Sequence, residues 1–258
     1  MGLQKNIVYS AVLTCSTYLV PLLVFPYISR VLGVDGIGAV DFVDSVINYC
    51  VLLSMMGMTT LGVREIARNK SNPVLLQQAF ADLFSLNLLS TLVVLFVLAL
   101  MICLVPQLWD KKELFCIGAI KLVANLFWIE WFFKGIENFR YITIRSVVLR
   151  LLFICFVYLL VHEEQDYGVY YFLFVSLTLG NAIFNWNFRK RYIGCSLRHV
   201  DIKRYAKPFF RLGGFAVLSS VYTQLITVWL GLQCGETEVG YYTTSTRCLL
   251  YTSPSPRD

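Results

Sequence analysis

The stretch AFADLFSLNLLSTLVVLFVLALMICLVP, residues 79–106, decides the fold. Its apolar residues run on without the strict alternation that a membrane strand requires. The run is longer than the roughly 20 residues a helix needs to cross a hydrocarbon core of about 30 Å. Six further stretches of this kind lie at 7–29, 39–62, 114–133, 141–161, 167–188 and 212–232, so the sequence predicts an all-α polytopic membrane bundle of seven spans. The first run has no small-residue cleavage site behind it and exceeds a signal-peptide core in length, which makes it a retained span. Composition agrees. Of 258 residues, 57% are hydrophobic, 15% aromatic and only 15% charged, against roughly 25% charged in an average soluble chain.

The net charge of +6 does not mark a nucleic-acid surface, because the cations sit between apolar runs and not along one face. Counted over the connections, fourteen Lys and Arg fall on one side of the expected bundle and three on the other. The positive-inside rule therefore places the N-terminus in the cytoplasm. The eight cysteines form no Cys-x-x-Cys or Cys/His cluster, and Cys15, Cys50, Cys103 and Cys155 fall inside apolar runs. Neither a disulfide framework nor a metal site is expected, and no cofactor motif is present.

A basic stretch at 189–211 divides the chain into a six-span lobe, 1–188, and a segment 212–247 holding one span and a following loop. Across that division runs an echo at an offset of 202 residues. Gly33-Val34-Asp35-Gly36-Ile37-Gly38 matches Gly235-Glu236-Thr237-Glu238-Val239-Gly240, each directly after an apolar span. Parallel repeats of this kind occur in transporter folds. Residues 248–258, from Cys248 to Asp258, resemble a translated sequencing adapter and are set apart from the fold, leaving a chain expected to stop early in its second lobe.

Ionisable groups at membrane depth are functional candidates by default. Lys121 lies about 10 Å into its span and Arg150 about 13 Å, at a rise of about 1.5 Å per residue, and both are read as lining one polar interior. Arg30 and Arg145 are nearer span ends, within reach of the interface. Asp41, Asp44 and Asn48 share a face of the second span; two roles fit them, pairing with Arg30 or Lys121, or exchange of a proton or cation during transport. Asp82 and Glu130 complete the set of acids available for coupling or pairing. Pro21 and Pro26 interrupt the first span as hinge candidates. Asn181, Asn185 and Asn187 are of a kind that holds sugars.

Three segments carry a resemblance: 18–38 with its Pro-Tyr-Ile-Ser-Arg core ending at Arg30, Gly62-Val63-Arg64-Glu65-Ile66-Ala67-Arg68-Asn69, and Glu130-Trp131-Phe132-Phe133-Lys134-Gly135-Ile136-Glu137 leading to Arg145. Together they resemble bacterial polysaccharide transporters, the O-antigen and capsule repeat-unit flippases of the multidrug/oligosaccharidyl-lipid/polysaccharide exporter superfamily. The resemblance implies a two-lobed exporter with a cationic cavity in the bacterial cytoplasmic (inner) membrane. Its substrate would be undecaprenyl-diphosphate-linked oligosaccharide, its surroundings membrane lipids and polysaccharide-assembly proteins. A diphosphate requires desolvated positive charge, and on the resemblance Arg30, Lys121, Arg145 and Arg150 would supply it as cations of the substrate-binding cavity. Related readings are a lipid II flippase or a drug/cation antiporter. A membrane glycan polymerase or transferase fits less well, since 189–211 carries one acid, Asp201, among eight cations; a non-enzymatic transporter is expected.

Overall fold

The computed structural model describes residues 3–194 and 201–252, with the side chains of 3, 4, 215, 216, 219–224 and 248–252 left out of account. Residues 195–200 of the basic stretch and 253–258 of the tail lie outside the described residues. Every regular element among them is helical. In order these are α1 (Leu3–Val31), α2 (Gly33–Met55), α3 (Met58–Asn69), α4 (Pro73–Leu104), α5 (Pro106–Trp109), α6 (Lys112–Trp128), α7 (Glu130–Gly135), α8 (Phe139–Leu160), α9 (Tyr167–Arg189), α10 (Ile202–Gln233) and α11 (Glu236–Thr252), with a single 3-10 turn at Glu164–Asp166.

Six of the expected spans correspond to stretches long and apolar enough to cross a membrane: Lys5–Val31, Gly33–Asn69, Pro73–Leu104, Lys112–Gly135, Phe139–Leu160 and Glu164–Arg189. The seventh, 212–232, lies wholly within α10. The second half of the basic stretch is the first turns of that same helix, and Arg189 is the last residue of α9, with its guanidinium 3.8 Å from the Trp186 ring centre.

Local chemistry sets the helix starts. Asn72 accepts from the backbone N–H groups of Val74 and Leu75 at 3.0 and 3.3 Å, and Pro73 follows where no amide partner is needed. Asn138 caps α8 in the same way, accepting from Tyr141 N–H at 3.4 Å. The α1–α2 and α10–α11 junctions turn on Gly33 and Gly235, with φ of +65° and +93°, a region open to glycine and costly for other residues.

Packing divides the interior into three apolar clusters. An aromatic one ties α3, α4, α7, α9 and α10 together through Phe80, Trp131, Phe132, Phe133 and Phe209. A second joins α2, α4, α6 and α9 around Phe42, Ile47, Phe115 and Tyr171. The third holds the latter half of α1 against α8 and α9 through Val24, Ile28, Phe153 and Val157. Large apolar side chains such as Phe96, Leu104 and Leu151 remain exposed on the outside, as lipid contact requires. Pro21 and Pro26 both stand inside an unbroken α1, on its exposed side.

Candidate functional site

The i, i+4 faces of α2 and α6 meet, and this contact brings the deepest lysine to a carboxylate. Lys121 Nζ donates to Asp44 Oδ1 at 2.6 Å and to Asn48 Oδ1 at 2.9 Å, while Asn48 Nδ2 donates to Asp44 Oδ2 at 2.9 Å. The Lys121 and Asp44 side chains are 11% and 14% exposed. In so dry a setting neither charge is tolerable alone, and Asn48 takes up hydrogen-bonding capacity the pair leaves over. Lys121 Nζ also lies 5.0 Å from the centre of the Phe174 ring. Of the two partners considered for Asp44, the structure selects Lys121. Arg30 stands exposed at the end of α1, with no hydrogen bond or ion pair among the described residues.

Below this pair the backbone is broken twice. Met56, between α2 and α3, has φ +32°, and Ile129, between α6 and α7, has φ +30° and ψ +35°. A β-branched residue in the left-handed region is a genuine outlier, held only where its surroundings over-determine it. Both breaks line one cavity of about 550 Å³, into which Asn48, Thr59, Thr60, Asn125, Glu130 and Lys134 also face. Irregular backbone at membrane depth is tolerated where it is buried in protein or borders a water-filled space. Lys134 and Glu130 pair across one turn at 2.7 Å. Leu212 of α10 closes part of the wall, so the cavity lies between the six-span bundle and the helix that follows it.

Asn185, completely buried, holds the Ile129 break shut. Its Nδ2 donates to the Trp128 carbonyl freed by the break, and its Oδ1 accepts from Arg145 Nη1. Both ends of the Asn185 amide are thus taken up within the protein. Arg145 donates further to Ser146 Oγ at 3.1 Å and lies 4.0 Å from Glu130. Arg150 does not join Lys121. It reaches the opposite way, donating to the Leu13 carbonyl at 3.1 Å and to Ser16 Oγ, and so ties α8 to α1. The expected single interior for Lys121 and Arg150 is therefore two settings, because Arg150 reaches from α8 to α1 and Lys121 from α6 to α2, although both helices also pack on α9.

The remaining acids are also spoken for. Asp41 pairs with Arg247 of α11 at 2.7 Å. Asp82, 1% exposed, accepts from the Asp201 backbone N–H at 2.9 Å and anchors the start of α10 to α4. Arg247 and Asn125 were not foreseen as site residues. Asn125 follows Lys121 by one helical turn and was legible on that ground; Arg247 was not, since its partner lies 206 residues away.

The two glycine segments of the 202-residue echo touch each other. A Cβ on Gly38 would collide with the Glu236 carbonyl, and one on Gly240 with the Val34 carbonyl. These contacts are reciprocal, since Val34 and Glu236 hold the same place in their segments, as do Gly38 and Gly240. Lys111 and Glu236 form an ion pair beside them.

Long apolar helices, broken at depth around a polar cavity and carrying neutralised buried charges, define a multi-pass α-helical membrane protein. The chain belongs to the family described as "Polysaccharide biosynthesis protein", whose model matches residues 3–253. It is 27% identical over 246 residues to a protein of Escherichia coli (strain K12) named "Putative O-antigen transporter", covering 94% of this chain and 59% of that one. A protein of Shigella dysenteriae with the same name is 25% identical over 248 residues, 91% of this chain and 59% of its own length. The chain thus spans 59% of the curated relatives it matches. No solved structure matches it.

Proposed function

We propose that the chain is part of a flippase that carries lipid-linked oligosaccharide repeat units, joined through a polyprenyl diphosphate, from the cytoplasmic to the outer leaflet of the bacterial inner membrane. The observation that carries this reading is the Lys121–Asp44–Asn48 cluster beside the polar cavity at the two helix breaks. Family membership and the names of the two relatives support the polysaccharide assignment. On this reading residues 1–188 form one lobe, and α10 and α11 begin its counterpart, which the reciprocal glycine contact supports.

The pair supplies a mechanism. A diphosphate entering the cavity competes with Asp44 for Lys121, exchanging one anion for another without stripping the ammonium of partners. Asp44, once released, keeps the Asn48 amide as its hydrogen-bond donor. Re-formation of the pair then expels the diphosphate. Asp41 and Arg247 repeat the arrangement across the junction to α11, where the pair must part if the two sides separate. No step calls for bond making or breaking, so the protein acts as a transporter and not an enzyme.

The test is to supply the full-length gene to a host lacking its own repeat-unit flippase. Surface polysaccharide should return, and Lys121→Ala and Asp44→Asn should each abolish most of it at normal membrane abundance. Failure with several repeat-unit structures, or full export by both variants, would overturn the reading.

A further inference from the structure

A groove of about 580 Å³ runs between α8 and α9, on the side away from the polar cavity. Helices α10 and α11 pack on α2, α3 and α4, while α8 packs on α1 and α9. The groove therefore lies on a side of the bundle away from α10 and α11. Along α8 its apolar wall is Ile144, Val148, Leu149 and Leu152, a rise of about 12 Å over eight residue steps, with Phe184 opposite.

One end is different. Arg140, Arg145 and Arg191 converge there with Tyr141, and no acid lines the groove. Arg145 Nη2 lies 4.0 Å from Glu130 Oε2, which does not line the groove. Arg145 is 7% exposed, yet its Nε is buried without a hydrogen-bond partner, and the Tyr141 hydroxyl is likewise buried and unpartnered. Two orphaned donors in one place carry a desolvation cost of about 1–3 kcal/mol each unless an acceptor arrives. Tyr141 is held by stacking on Phe188 at 3.9 Å, and Arg191 lies 4.8 Å over the same Phe188 ring, so the polar end is a built arrangement and not a loose fringe.

We propose that this groove binds an anionic phospholipid of the leaflet on the basic side of the bundle. Its phosphate would accept from Arg145, Arg191 and Tyr141 while Arg140 closes over it, and one acyl chain would lie along Val148, Leu152 and Phe184. The chemistry is that of basic pockets between helices, in which headgroup charge meets arginine and the chain meets apolar wall. The inference does not rest on the flippase reading, because the groove and the polar cavity share no helix face.

Native mass spectrometry of the full-length protein in mild detergent tests it, with phosphatidylglycerol offered against phosphatidylcholine. One phosphatidylglycerol should be retained in preference. Arg140→Gln with Arg191→Gln should weaken retention roughly tenfold or more, since each near-surface cation is worth about a fivefold factor. Val148→Trp should exclude the chain even with all arginines present, and Lys203→Gln with Lys207→Gln, elsewhere on the basic side, should change nothing. Equal retention of both lipids, or undiminished retention by the double arginine variant with an unaltered melting temperature, would overturn the site. Displacement of phosphatidylglycerol by inorganic phosphate alone would show a headgroup pocket without a chain groove. Stoichiometric displacement by undecaprenyl diphosphate would assign the groove to transported lipid. Either displacement refutes the phospholipid assignment, whatever the outcome of the complementation test.

Discussion

Thr237 Oγ1 donates to Asp35 Oδ1 at 2.6 Å, and the two residues are 202 positions apart, each third in its own Gly-x-x-x-[Ile/Val]-Gly segment. The bond joins equivalent points of two similar stretches, as contacts across a two-fold axis do. Gly38 against Glu236, and Gly240 against Val34, repeat that reciprocity in backbone contact. With Lys111–Glu236 and Asp41–Arg247 alongside, the α1–α2 and α10–α11 corners are latched by polar groups and not by apolar packing alone. A polar latch can open into water at small cost, and an apolar one cannot.

Asp35→Cys with Thr237→Cys should therefore cross-link under mild oxidation. Cleavage at a protease site inserted into 195–200 would leave the two halves joined on a non-reducing gel and separate after reduction. If the corner must part during transport, export should stop in the oxidised protein and return with reductant. Export unaffected by a complete cross-link would show that the corner stays closed throughout.

Gly38→Ala should lower the melting temperature by several degrees. The added methyl meets a backbone carbonyl that cannot swing aside, and overpacking of this kind costs about 1–3 kcal/mol. Gly240→Ala should do the same from the other segment. Gly168→Ala, where a Cβ meets nothing within 4 Å, is the control and should leave the protein unchanged or slightly firmer.

Lys121→Met should destabilise the protein by up to about 3 kcal/mol, reduced from the fully buried case by the partial exposure of the pair, because Asp44 is left charged in a dry setting. Adding Asp44→Leu should recover most of that loss. Export, on the proposed mechanism, should not recover with it. A double variant that regains both stability and export would reduce the pair to a structural role.

Asn185→Leu removes the partner of both the Trp128 carbonyl and Arg145, and about 2–3 kcal/mol of stability should go with them. Asn185→Asp keeps an acceptor for Arg145 but leaves the carbonyl unsatisfied, so its melting temperature should fall between those of the leucine variant and the native protein. Equal stability of all three would mean that water replaces the amide at the break.

The spans, their order and their apolar outer faces could be read from residues alone. Length and continuity of apolar runs respond to one dominant requirement, that every backbone polar group be satisfied within its own helix in lipid. The shared face of Asp44 and Asn48 was equally legible, since helical geometry places i and i+4 together. Partner choice was not. Whether Asp44 met Arg30 or Lys121, and that Arg150 turns to α1 and Arg247 reaches Asp41, depend on which helices lie side by side, and local sequence carries no record of that. Nor did it announce the break at Ile129, where neither glycine nor proline stands and the strain is held by Asn185 from another helix. Sequence by itself determined that this is an all-α membrane bundle with costly charges at depth; tertiary structure decided which of those charges neutralise one another and where a polar cavity remains, because pairing is fixed by packing across helices and not by spacing along them.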